Sequence, residues 1–155
     1  MISCCAWPTR RDTYRPLNQA EKHRQILCDN LSFEPYNAFK RIVGPVRSTM
    51  TVDDVQQFLA DNRVFKSTIN IEKFIKHYSG NIRSFSESSC ARIDYREFLR
   101  VVLPMNSSHI REQASQRPIY NSSYAKLLPS VEGCLADVIS YEIDFFDNLY
   151  LYFVG

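Results

Sequence analysis

The sequence predicts an all-α fold of two consecutive helix–loop–helix units followed by a C-terminal amphipathic helix. Apolar residues recur at helical spacing in most segments, and residues that start helices precede several of these segments. Only 4 glycines occur among 155 residues, which disfavours a β-rich fold with many tight turns. Hydrophobic residues make up 45% of the chain, enough for a packed core.

The N-terminal part of the chain predicts an arm followed by a first helix. Residues 1–17 contain two prolines and three arginines with little apolar periodicity, which is typical of a flexible basic arm. Asn18 is placed to cap a helix over QAEKHRQILC, whose apolar side chains share one face. We therefore assign residues 18–104 to a helical body that begins with this helix.

The first helix–loop–helix unit is marked by turn and capping residues. PYNAFKRIV has Pro35 in its first turn, and GPVRS cannot continue that helix because it contains Gly and Pro. Thr51, with Asp54 three residues later, then predicts a capped helix start before VDDVQQFL.

The second unit repeats this design. A helix is predicted from about Ile71 through IEKFIKHYSGNIRSF, with Phe85 as its last apolar residue in register. Asp94 and Glu97 repeat the capped start before YREFLRVVL, which stops at Pro104.

Beyond this body the sequence predicts a short polar helix, a linker and a long acidic amphipathic helix. SSHIREQASQR, capped by Ser107 or Ser108, and a loop make up residues 105–128. The final LYLYFVG has β-type composition and no cap, so its structure is left open. The acidic segment 129–155 has a wide apolar stripe, which consists of Val131, Leu135, Val138, Ile139, Phe145, Phe146 and Leu149.

Charge is divided unevenly along the chain. All 19 Lys and Arg residues precede Pro129, together with 12 of the 17 acids, so the first 128 residues carry +7 and the remainder −5. A basic body of this kind binds an acidic protein surface or its own acidic tail folded back. The basic residues form no arginine-rich block and no aromatic-basic signature, which argues against nucleic-acid binding.

Two segments resemble the EF-hand, in which an entering helix, a twelve-residue calcium loop and an exiting helix follow one another. FKRIVGPVRSTMTVDDVQQFL aligns on this frame without a gap, with a loop over residues 43–54 and Met50 at the eighth position. IRSFSESSCARIDYREFL aligns with a loop over residues 86–97 and Ile93 at the eighth position. The resemblance implies a pair of hands joined by short strand pairing at Met50 and Ile93.

The first loop lacks the ligands that calcium needs. The ion requires several carboxylates among loop positions 1, 3, 5 and 12. Those positions hold Val43, Pro45, Arg47 and Asp54, and an arginine in place of a carboxylate opposes the ion. We expect no calcium at this loop.

The second loop keeps only two carboxylates, and Ala91 replaces the turn glycine. The resemblance implies at most weak calcium binding there, and no other cofactor is expected. The candidate ligands are Ser86, Ser88, Cys90, Arg92 through its backbone carbonyl, Asp94 and Glu97.

The resemblance also implies a function. Paired hands present an apolar groove that takes an amphipathic helix. The leading hypothesis is therefore a mostly calcium-independent interaction module that binds a partner helix or docks into a larger assembly, and the alternative is a calcium-binding regulator that uses loop 86–97. The acidic tail is a candidate occupant of the groove in cis or a bridge to a second protein in trans. The candidate groove residues are Phe39, Ile42, Phe58, Leu59, Phe74, Phe98 and Val102.

The sequence gives little support to other classes of function. No Gly-rich phosphate loop, nucleophile motif or locally paired histidine appears, so no enzyme is predicted. The apolar stretches are short and interrupted by charge, and the N-terminus is unlike a signal peptide, so we expect an intracellular protein without a membrane span. VVLPMNSSHIREQASQR is more loosely similar to EF-hand proteins of ciliated protists and flagellar axonemes, which implies a ciliary or cytoskeletal setting.

Overall fold

The computed structural model describes residues 15–79, 91–119 and 127–154, and these ranges contain seven helices and two short strands. The predicted mainly helical fold is confirmed. No helix in these ranges combines the length and apolar character needed to cross a membrane. The helices are α1 (Arg15–Asp29), α2 (Pro35–Val43), α3 (Val52–Asp61), α4 (Thr68–Tyr78), α5 (Tyr95–Val102), α6 (Ser108–Ser115) and α7 (Pro129–Val154). The strands are β1 (Thr49–Met50) and β2 (Ile93–Asp94).

The two predicted capped starts are both present. The Thr51 hydroxyl accepts the Asp54 N–H at 3.3 Å, and the Asp54 carboxylate accepts the Thr51 N–H at 2.9 Å. Asp94 and Glu97 exchange the same pair of hydrogen bonds at 2.8 and 2.9 Å. These bonds satisfy backbone donors that the first helical turn leaves unpaired, so the starts of α3 and α5 are fixed locally.

The start of α1 differs from the prediction. The helix begins at Arg15 rather than after Asn18, so Asn18 lies inside the helix and is not its cap. Pro16 is compatible with this earlier start, because a proline in the first turn has no N–H to leave unpaired. The predicted flexible arm is therefore shorter by at least the residues from Arg15 onward.

The bounds of α4 also differ. The helix begins at Thr68, where the Ser67 hydroxyl accepts the Asn70 N–H at 3.2 Å. It ends at Tyr78, and Ser79 is already extended, so the predicted uninterrupted helix as far as Phe85 is wrong. Residues 80–90 lie outside the described ranges.

A two-stranded antiparallel sheet joins the two units. Met50 pairs with Ile93, and Thr49 pairs with Asp94. The Met50 and Ile93 side chains are both fully buried. The short strand pairing predicted at these two residues is confirmed, and it joins the two segments that directly precede α3 and α5.

The C-terminal helix is the longest element of the described chain. It runs through the predicted amphipathic segment and continues to Val154, so the LYLYFV stretch, which was left open, is helical. The glycine-containing break after α2 is also present, because Gly44 adopts a φ of +89° and ends that helix. The resulting core is shared by α7 and the helices of both units.

Candidate functional site

The C-terminal helix α7 packs along α1 and also contacts α3, α4 and α5. This arrangement decides between the two positions that the sequence left open for the acidic tail, because the tail is docked in cis. The apolar face that α7 buries consists of Val131, Leu135, Ala136, Val138, Ile139, Ile143 and Phe146.

Acidic residues of α7 pair with basic residues from three different parts of the body. Glu132 accepts from the Arg41 guanidinium at 2.5 Å and from the Asn62 amide at 3.0 Å. Farther along α7, Asp144 accepts from the Lys66 ammonium at 2.7 Å. Of the explanations that the sequence left open for the charge division, the structure therefore shows the acidic tail folded onto the basic body.

The third pairing is completely buried. Arg24 on α1 is fully buried, and its Nη2 donates to Glu142 Oε1 of α7 at 2.5 Å. Its Nε donates to the Val101 carbonyl oxygen of α5 at 2.7 Å, and its Nη1 reaches Glu21 at 3.3 Å. The Tyr78 hydroxyl at the end of α4 donates to the second oxygen of Glu142 at 2.8 Å. One guanidinium thus ties together α1, α5 and α7, and Glu142 adds α4.

The surroundings of the two carboxyl groups push their pKa values in opposite directions. Burial raises the pKa of Glu142 above its ordinary value of 4.5, although Arg24 and the Tyr78 hydroxyl oppose the shift. Burial also acts to raise the pKa of Glu21, but N–H donors from Met105, Gln25 and Asn106, together with Arg24, lower it below 4.5. Glu21 is therefore the carboxylate held firmly in its charged form, and it fixes the backbone after α5.

The first of the two candidate calcium loops, residues 43–54, contains an internal cation. The Arg47 guanidinium donates to the Asp54 carboxylate, and the Lys40 ammonium donates to the Arg47 carbonyl oxygen at 2.8 Å. The carboxylate at position 12 of the aligned loop is therefore already paired with a positively charged side chain. A guanidinium and a divalent ion repel each other, so calcium would have to displace Arg47 before it could use this carboxylate.

Replacing Asp54 with asparagine is expected to lower the free energy of unfolding by about 1 kcal/mol, through a weaker cap and the loss of the Arg47 ion pair. Chemical denaturation measures this difference. Asp53→Asn is the matched control, because Asp53 is exposed in the same first turn and makes no capping bond. We expect a loss of only a few tenths of a kcal/mol for the control. Equal losses for the two variants would contradict the capping role of Asp54.

The second loop is only partly described. Ser86, Ser88 and Cys90 lie outside the described ranges, and Arg92 is exposed. Asp94 and Glu97 hold the start of α5 as described above. Within residues 15–79, 91–119 and 127–154, no cluster of three or more His, Cys, Asp or Glu side chains is arranged to hold a metal ion.

The candidate groove residues lie in the core. None is more than 7% exposed, so none offers a free surface in this arrangement. These residues and the apolar face of α7 belong to a single hydrophobic cluster, so the two units and α7 share one core. The seven residues are Phe39, Ile42, Phe58, Leu59, Phe74, Phe98 and Val102.

The buried charge network was not predicted, although the sequence contains a signal for it. Arg24 falls between Ala20 and Leu27 on the apolar face of α1, and Glu142 falls between Ile139 and Phe146 on that of α7. A charged residue within an apolar stripe is buried only at a high cost unless it is paired. Two such residues of opposite sign therefore indicate mutual pairing between their helices.

Comparison of the chain with models of protein families, with curated proteins and with solved structures finds no match.

Proposed function

We propose that this chain is a calcium-independent protein-interaction module of the EF-hand type, with its own C-terminal helix on its helix-binding face. The observation that carries the proposal is the position of α7, which buries an apolar stripe against α1, α4 and α5. An amphipathic helix on the apolar face of a helical pair is the arrangement by which paired hands bind their target helices. Here the helix belongs to the same chain.

Two features support calcium independence. The Arg47 guanidinium pairs with Asp54 in the first loop, where an ion would need that carboxylate. In the second loop Asp94 and Glu97 hold the first turn of α5 through reciprocal hydrogen bonds. The described end of each loop therefore has a role in the fold that requires no metal.

The position of α7 also limits how a partner protein binds. To take the place of α7, a partner helix would have to separate Glu142 from Arg24 and Tyr78 and expose a wide apolar face. Leaving a buried charge without its partner costs several kcal/mol. We therefore propose that α7 stays in place and that partners bind on the outer surface. The looser resemblance to axonemal EF-hand proteins makes a cytoskeletal assembly our proposed setting.

Titration calorimetry with calcium tests the proposal, together with thermal melts in excess calcium and in chelator. We expect no binding heat and the same melting temperature in both solutions. Binding in the micromolar range with a rise in melting temperature would overturn calcium independence and favour a calcium-binding regulator. Glu97→Gln is the control variant, because glutamine at this position keeps a side-chain oxygen for the helix start. Loss of the heat in this variant would assign the ion to loop 86–97.

A further inference from the structure

A shallow cavity of about 270 Å³ lies where α5 leads into α6. Typical small-molecule clefts are larger, roughly 300–1,000 Å³, so this cavity suits a side chain better than a whole ligand. Met105 is 53% exposed there, so an apolar part of the lining is open to solvent. The lining consists of Leu99, Arg100, Leu103, Met105 and Arg111.

The two guanidinium groups in the lining each have contacts within the fold. Arg111 donates through Nε to the Pro104 carbonyl oxygen at 3.0 Å and through Nη2 to the Met105 carbonyl oxygen at 3.3 Å. The Arg100 guanidinium lies 5.8 Å from the centre of the Tyr78 ring. Its two hydrogen bonds therefore position Arg111 before any ligand arrives, which lowers the entropy cost of binding.

The charge at this cavity is not neutralised within the described residues. Arg24, Arg41 and Lys66 each pair with an acid of α7, but no salt bridge in the described ranges involves Arg100 or Arg111. Arg96, one helical turn before Arg100 on α5, is also exposed. The surface thus combines an apolar cavity with guanidinium groups that α7 leaves uncovered.

We propose that this cavity binds an acidic segment of a partner protein, with one large apolar side chain seated between Leu99, Leu103 and Met105. Carboxylates on either side of that anchor would pair with Arg100 and Arg111, since guanidinium groups bind carboxylates through two parallel hydrogen bonds. The inference rests on the proposed function, because it names the chemistry of a partner for the same module. A small anion would leave the apolar lining unused, and nucleic acid would find no aromatic residue in the lining on which to stack a base.

The segments of this chain outside the described ranges are poor candidates for the occupant. Residues 1–14, 80–90 and 120–126 contain two acids, Asp12 and Glu87. The same segments contain four bases, which are Arg10, Arg11, Arg83 and Lys126. Charge complementarity with two guanidinium groups therefore favours a segment supplied by another molecule.

Fluorescence anisotropy with the full chain tests this inference. The probe is a pool of fluorescein-labelled peptides in which Leu, Ile, Met, Phe or Trp is flanked on both sides by Asp and Glu. We expect saturable binding at about 0.15 M salt, where charges beyond about 8 Å are largely screened. Arg100→Glu is expected to weaken binding at least about tenfold, and Arg111→Glu to do the same. Arg100→Glu loses the contact with the Tyr78 ring and the favourable positive charge in the last turn of α5, so its melting temperature is expected to fall by only about 4 °C or less, and the variant stays folded at the temperature of the assay.

Two controls make the result specific. Lys22→Glu reverses an exposed charge on α1 that does not line the cavity, and it is expected to leave binding unchanged. A second pool with Ser at the central position is expected to bind at least about tenfold more weakly, because the apolar anchor is lost.

Several outcomes would overturn the inference. These are absence of binding by the acidic pool, equal binding by Arg100→Glu, and equal binding by the serine pool. Arg100-dependent binding of a labelled poly-dT oligonucleotide, in place of the peptides, would assign the surface to nucleic acid. Each of these results leaves the calcium titration unaffected, so failure of the inference is distinguishable from failure of the proposed function.

Discussion

Replacing Arg24 with methionine is expected to lower the free energy of unfolding by about 3–5 kcal/mol, the usual cost of removing one partner from a buried ion pair. The variant leaves Glu142, which is 1% exposed, facing an apolar side chain in place of a guanidinium. It also removes the donor to the Val101 carbonyl oxygen. Chemical denaturation monitored by circular dichroism measures the loss.

The matched control is Lys22→Met on the same helix. Lys22 is exposed, so the same kind of substitution there is expected to change the free energy of unfolding by about 0.5 kcal/mol or less. Adding Glu142→Gln to Arg24→Met is expected to recover part of the loss, because the double variant no longer leaves the charge of Glu142 buried without its guanidinium partner. An Arg24→Met variant that is as stable as the parent protein would contradict the buried network around Arg24 and Glu142.

The pH dependence of the Arg24→Met variant follows from Glu142. A carboxyl group whose native pKa is raised stabilises the fold below its unfolded pKa, near 4.5, and loses this contribution as the pH rises through the native value. Arg24 carries the positive charge that favours the ionised form of Glu142, so its removal raises the native pKa of Glu142 further. We therefore expect the stability deficit of the variant to be smaller at pH 5 than at pH 7.5. A deficit that grows on acidification would contradict this assignment.

Replacing Leu135 with alanine is expected to cost about 2–5 kcal/mol, because it leaves a cavity between α7 and the body. Leu135 is fully buried. The control is Asp137→Ala two residues away, since Asp137 is exposed and its substitution is expected to cost about 0.5 kcal/mol or less. Thermal and chemical unfolding compare the two variants. Equal stability of both would mean that α7 contributes little to the packed core.

Local chemistry explains which elements the sequence predicts correctly. The starts of α3 and α5 depend on residues three positions apart, Thr51 with Asp54 and Asp94 with Glu97, so they are visible in a short stretch of sequence. The pairing of β1 with β2 was predicted through a resemblance that placed Met50 and Ile93 opposite each other.

Long-range contacts explain the remainder. The sequence left the tail open between cis and trans because the bonds that hold α7 join residues far apart, such as Arg24 and Glu142 or Arg41 and Glu132.

The apolar period continues beyond Tyr78 to Phe85, which is why the end of α4 was predicted too late. Capping preference alone also placed the start of α1 too late, since Asn18 is a favourable cap but lies inside the helix.

The cavity between α5 and α6 had no signal in the sequence. Leu99 lies in α5 and Leu103 directly follows that helix, whereas Arg111 belongs to α6, and the turn between the two helices sets the distance between these side chains. Glu21 fixes that turn from α1 by accepting the Met105 and Asn106 N–H groups at 3.0 Å. Because Glu21 lies more than 80 residues before this turn in the sequence, the site emerges only after folding.

Hydrogen exchange measured by mass spectrometry on the full chain tests the central proposal most directly, in calcium and in chelator and at two protein concentrations. We expect residues 131–146 of α7 to be among the most slowly exchanging amides, because they are packed against α1 in the same molecule. Their protection should not change with calcium or with protein concentration. Rapid exchange of this segment, or protection that requires calcium or rises with concentration, would contradict a calcium-independent module closed in cis by its own helix.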